Sequence, residues 1–161
     1  MSKSKAEEAL HEAEQLWMSG ENQRAREGYR RARVLFHEEN DAAGQAEALS
    51  HYDEALSRFR EAGDLLGEAS ALTGLAHLLR HTGKVADAVT VLEAAAKLYG
   101  RAGHLRGDAD IAFELGRLEA ARGDKARAHH HFSRAAELYH RADASELHHK
   151  ALKEAQAVVA G

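Results

Sequence analysis

Apolar residues recur at intervals of three and four, the spacing that lines one face of a helix. Between 69 and 82 they are Leu72, Leu75, Ala76 and Leu79, and from 85 to 99 they are Ala88, Val89, Leu92, Ala95 and Tyr99. Ile111, Leu115, Gly116 and Leu118 open another such stretch. Glycine falls between stretches, as at Gly83 and Gly123, where a positive-φ residue ends one helix and lets the chain turn into the next. The pattern predicts eight helices, over about 4–18, 21–39, 45–62, 68–82, 84–101, 108–122, 124–141 and 145–160. Glycines 20, 63, 67, 83, 103, 107 and 123 are expected to make the turns.

The helices form a repeat. Gly83-Lys84, Ala88, Leu92, Ala95, Tyr99 and Gly103 return forty residues later as Gly123-Asp124, Ala128, Phe132, Ala135, Tyr139 and Asp143. Nearer the N-terminus the offset falls to 23: Ala25, Tyr29, Ala32, Phe36, Asp41 and Gly44 recur as Ala48, Tyr52, Ala55, Phe59, Asp64 and Gly67. Two second-type helices therefore follow one another, and a first-type helix is missing between them. Either helix 45–62 fills that place, or its apolar face, Leu49, Tyr52, Leu56 and Phe59, is completed by a second copy in a homodimer, since one repeat cannot bury its face alone.

Leu72-Leu75-Ala76-Leu79-Gly83-Ala88-Leu92-Ala95 and Phe113-Gly116-Gly123-Ala128-Phe132-Ala135 resemble the tetratricopeptide repeat family over most of residues 6–161. The period of forty, and linkers such as Gly63-Asp64-Leu65-Leu66-Gly67-Glu68-Ala69, are similar to the long repeats of kinesin light chains and of bacterial regulators and adaptors. The common period is 34, and the usual closing proline is absent, with Gly100 and His140 at its place. The resemblance implies an all-α, right-handed α-solenoid of stacked antiparallel helix pairs. It forms one domain over 1–161, with units at about 6–44, 68–107 and 108–144, an incomplete unit at 45–67 and a capping helix at 145–160.

It also implies a concave groove lined by the first helix of each unit. By register these positions are Glu7, Leu10, Glu14, Trp17 and Met18, then Ser70, Thr73, His77, Arg80 and His81, then Asp110, Phe113, Arg117, Ala120 and Ala121, with Lys150 and Lys153 on the last helix. The peptide-binding residues expected from this set are Trp17, Thr73, His77, Arg80, His81, Phe113, Arg117, Lys150 and Lys153. The asparagine and lysine by which chaperone-binding members grip a terminal carboxylate are not matched, because His77 stands at the asparagine position. Trp17 is read either as an aromatic anchor for a partner or as an end cap on the first helix pair.

Charge sharpens the picture of the partner. Residues 1–66 carry 9 basic and 14 acidic side chains, net −5, while residues 67–161 carry 13 and 12, net +1. An acidic protein segment would suit the C-terminal part of the groove. The total of −4 argues against nucleic acid. No run of 18 apolar residues predicts a membrane span, and Met1 to Glu8 does not read as a signal peptide. With no cysteine there is no disulfide framework or thiolate chemistry, which suits a cytoplasmic location.

Twelve histidines raise a second reading, a metal-binding or pH-responsive protein. His77 and His81 stand four apart, turning both imidazoles to one side of a helix. His129-His130-His131 and His148-His149 fan apart around theirs. The zinc-hydrolase pattern fails because Gln15 follows His11-Glu12 and Asp41 follows His37-Glu38 where a second histidine is required. There is no phosphate-binding glycine loop, and the carboxylates read as solvated groups on outward faces beside Arg and Lys. The chain reads as a non-enzymatic adaptor or scaffold without a cofactor.

Overall fold

The computed structural model describes the backbone of residues 5–39 and 42–161, and the side chains within them except at 22, 26, 33, 36–39 and 42–48. Asp41, the side chains of Phe36, His37, Glu38 and Ala48, and Gly44 in its repeat role lie outside the described residues. The described chain is wholly helical: α1 (Lys5–Met18), α2 (Asn22–Glu39), α3 (Ala42–Glu61), α4 (Leu65–His81), α5 (Val85–Arg101), α6 (Leu105–Ala121), α7 (Lys125–Arg141) and α8 (Ser145–Ala160).

The chain divides into two compact units, Met1–Val91 and Leu92–Gly161, with the boundary inside α5. In the first, α1 packs on α2, α2 on α4 and α3 on α4, and α3 also touches α1. In the second, α7 packs against both α6 and α8. Both cores are rich in alanine: Ala6, Ala13, Ala25, Ala32, Ala69 and Ala76 in one, Ala109, Ala112, Ala128, Ala135 and Ala151 in the other. Small side chains bring backbones close, and larger ones such as Leu10, Phe59, Leu115 and Phe132 fill the gaps between them.

From α4 onward one helix and its turn take twenty residues. Gly63, Gly83, Gly103 and Gly123 hold φ between 66° and 83°, and Asp143 takes the same role at φ 54°. At Gly83 the turn is closed by its own N–H donating to the Arg80 carbonyl and by the Lys84 N–H donating to that of Leu79.

Two of the expected turn glycines are not turns. Gly67 and Gly107 lie inside α4 and α6, which begin at Leu65 and Leu105, three residues earlier than expected. Both are buried because an aromatic ring occupies the space of a side chain. A Cβ on Gly67 would come within 2.2 Å of Phe59, and one on Gly107 within 2.7 Å of Tyr99. The caps lie just upstream. Asp64 Oδ1 accepts from the Gly67 N–H at 2.9 Å, His104 Nδ1 from that of Gly107 at 2.9 Å, and Asp124 Oδ1 from that of Arg127 at 3.0 Å. Asp64→Ala and Asp124→Ala are each expected to cost about 1 kcal/mol of stability, read by thermal denaturation. No loss in either would mean the caps do not start these helices.

The irregular step resolves in favour of packing within the chain. Tyr52, Leu56 and Phe59 are buried and Leu49 half-buried. Tyr52 stacks into the space beside Gly74, where a Cβ would meet its ring at 2.4 Å, as Phe59 does beside Gly67. The chain's own α4 covers this face, as in the first of the two readings of the irregular step. α3 also begins three residues earlier than expected, at Ala42.

Candidate functional site

In the second unit, α6 and α8 bring together two of the residues expected on the groove. Phe113 is half-buried, edge-on to Phe132 with ring centroids 5.3 Å apart, and Lys150 Nζ lies 5.3 Å above its ring. Phe113 is held in this position because α6 and α7 approach at Gly116, where a Cβ would come within 2.7 Å of Phe132. Arg117 lies one turn beyond Phe113 and Lys153 one turn beyond Lys150, both exposed. Among the described residues no carboxylate pairs with Arg117, Lys150 or Lys153.

Three carboxylates of α6 are engaged elsewhere. Asp110 Oδ1 accepts from the Tyr139 hydroxyl at 2.6 Å and lies 3.4 Å from Arg106 Nε. Burial, and then this hydrogen bond to Asp110, push the Tyr139 phenol well above its ordinary range. Asp108 and Glu119 depart from the outward placement expected of the carboxylates, since both are buried. Each is reached by arginine: Asp108 by Arg134 Nη2 at 3.0 Å, Glu119 by Arg122 at 3.4 Å and Arg127 at 3.7 Å. Arg117, Lys150 and Lys153 thus lie near a half-buried aromatic ring with no ion pair to a carboxylate among the described residues.

In the first unit the expected residues are differently placed. Trp17 is half-buried and edge-on to Phe59 at 4.4 Å, so it packs on α3 and does not stand out as an anchor. Thr73 is buried and donates its hydroxyl to the Ala69 carbonyl at 2.8 Å, so it offers no surface to a partner. His77, Arg80 and His81 are half-buried on α4, with Arg80 Nη2 3.3 Å from His77 Nδ1. Among the described residues, three potential ligand atoms gather around Glu14, His51 and Glu54.

Several histidines serve as struts. His129 Nδ1 meets the Ala155 carbonyl at 3.0 Å and His148 Nδ1 the Ala136 carbonyl at 2.8 Å, tying α7 to α8. His131 is the contrast, with Nδ1 buried and without a partner among the described residues. Desolvation first, and then its neighbour His130, lower its affinity for a proton.

The family model for soluble NSF attachment protein, SNAP, matches residues 1–160. The chain belongs to that family. Its fold is similar to the crystal structure of BtubC (BKLC) from P. vanneervenii, with a TM-score of 0.70 and 20% sequence identity over 95% of this chain and 70% of that one. No curated protein gives a significant match. The helical-repeat architecture expected from the tetratricopeptide resemblance agrees with both matches, and the family shown is SNAP. No helix among the described residues is long and apolar enough to cross a membrane.

Proposed function

We propose that the protein is a cytoplasmic adaptor that binds an acidic segment of another protein, using the face formed by Phe113, Arg117, Lys150 and Lys153. The observation that carries this reading is three cations without carboxylate partners beside a half-exposed ring. A carboxylate on the partner would gain charge-assisted hydrogen bonds there, and an apolar side chain would cover Phe113. Rigid helices hold these groups, so little ordering cost falls on the receptor. The family's name, attachment protein, supports a protein partner, and the net charge of −4 disfavours nucleic acid.

The finer tetratricopeptide register is retained because it selected Phe113, Arg117, Lys150 and Lys153 as positions on one kind of face. His77, Arg80 and His81 occupy the matching positions on α4, and the i,i+4 spacing of the two histidines keeps open a metal-binding role for them. Binding, not catalysis, is the role proposed for the whole chain.

The test is fluorescence anisotropy with a labelled acidic peptide containing one aromatic residue, followed by pull-down and mass spectrometry with the same variants. Arg117→Glu/Lys150→Glu is expected to weaken peptide binding by at least about tenfold without loss of helicity, and added salt should weaken wild-type binding. Equal affinity of wild type and double variant would move the site elsewhere.

A further inference from the structure

A side-chain cluster in the first unit has a composition that peptide binding does not use. His11 and Glu14 stand three apart on α1, and His51 and Glu54 three apart on α3, forty residues on. Three apart on a helix means the same face, so each pair presents an imidazole and a carboxylate together. Packing of α3 against α1 brings the pairs into register. His51 Nδ1 lies 2.7 Å from Glu14 Oε1, and one ligand atom from each of Glu14, His51 and Glu54 falls within 4.8 Å of the others. His11 Nδ1 lies 3.8 Å from the second oxygen of Glu14.

We propose that Glu14, His51 and Glu54 form a three-ligand site for a divalent transition metal of the zinc type that clips α3 to α1, with solvent in the fourth position. Ligands about 2.0–2.1 Å from a tetrahedral zinc ion are about 3.3 Å from one another. The 2.7 Å between His51 and Glu14 and the 4.8 Å within which all three ligand atoms fall bracket that distance. Two carboxylates offset the charge of the ion, and the imidazole of His51 favours zinc, cobalt or nickel over magnesium or calcium, which prefer oxygen alone. Arg58 pairs with Oε1 of Glu54. Tyr29 is buried beside the cluster, its phenol pushed up to about 12 by burial first and then by Glu14.

The position of the site gives it a purpose. α3 is the helix that breaks the forty-residue repeat, and a metal bridging it to α1 closes the chain between residues 14 and 51. Such a cross-link stabilises the native arrangement by mass action as the free metal concentration rises above Kd. Glu14 and His51 meet only when α3 is docked, so metal binding reports on that docking.

The experiment is titration of the full chain with cobalt(II) and zinc(II), read by calorimetry and by the visible absorption of cobalt. One equivalent should bind, with the intense bands of a tetrahedral cobalt site, and the midpoint of thermal unfolding should rise. His51→Ala and Glu54→Gln should each lower affinity by about tenfold or more, while His77→Ala/His81→Ala leaves it unchanged. Glu54 is exposed, so Glu54→Gln tests the site even if His51→Ala does not fold. The proposal is overturned if wild type binds no cobalt, if Glu54→Gln binds as wild type does, or if affinity falls only when His129, His130 and His131 are replaced.

Discussion

Gly67→Val should destabilise the first unit by about 3 kcal/mol, toward the upper end of the cost of overpacking a core. A Cβ at this position would lie 2.2, 2.5 and 2.7 Å from three atoms of the Phe59 ring. The ring has nowhere to go, with Trp17 edge-on at 4.4 Å and Tyr29 edge-on at 5.7 Å. α3 and α4 would have to separate, with loss of the Tyr52 contact at Gly74 as well. The control is Gly100→Ala, also in a helix but exposed, where the nearest neighbouring atom would be 3.6 Å away. That change should stabilise by up to about 1 kcal/mol, because alanine is the better helix former. Urea denaturation followed by circular dichroism compares the two. A Gly67→Val protein as stable as wild type would show that α3 and α4 do not meet at these residues.

The same two glycines show where the sequence stops being sufficient. Periodicity located the eight helices of the described residues, since apolar spacing and local turns are written in adjacent residues. It misplaced the starts of α4 and α6 because glycine has two uses, positive φ at a turn and absence of Cβ at a helix crossing. Only the partner ring distinguishes them, and that ring lies eight residues upstream in each case, Phe59 for Gly67 and Tyr99 for Gly107. Read afterwards, the equal spacing is a usable signal. Twenty-residue steps from Gly63 to Asp143 mark the turns, and Gly67 and Gly107 fall out of step.

Candidate site residues divide in the same way. The repeat register put Phe113 on the first helix of a unit, Lys150 on the terminal helix and Trp17 on the first helix of the chain. It did not reveal what Trp17 touches, because that is set by Phe59 on a helix outside the regular repeat. Glu14 and His51 meet across the same irregular step. The buried carboxylates were hidden for a different reason. With 30% of residues charged, an inward Asp108 looks in the sequence like any outward carboxylate, and Arg134 follows 26 positions later.

Arg134→Met is expected to cost about 3 kcal/mol at about pH 7, near the lower edge for breaking a buried ion pair because Arg134 is itself 43% exposed. Arg134 Nη2 reaches both oxygens of Asp108, at 3.0 and 3.1 Å, and Asp108 is otherwise enclosed. Burial holds the Asp108 carboxyl above its ordinary value of 3.8 even with Arg134 present, and the loss of the guanidinium raises it further. A carboxyl whose pKa is raised by folding binds its proton more tightly in the native state. Its contribution to stability is complete below the unfolded value and is lost as pH rises through the folded one. The penalty of Arg134→Met is therefore largest at neutral pH and shrinks on acidification, as the isolated carboxylate takes up a proton. Adding Asp108→Asn to Arg134→Met should recover part of the loss at about pH 7, since no buried charge remains. Denaturant midpoints of the single and double variants at neutral and acidic pH test the sign. A penalty that does not change with pH would mean that the cost comes from lost packing of the arginine stem and not from the unpaired charge.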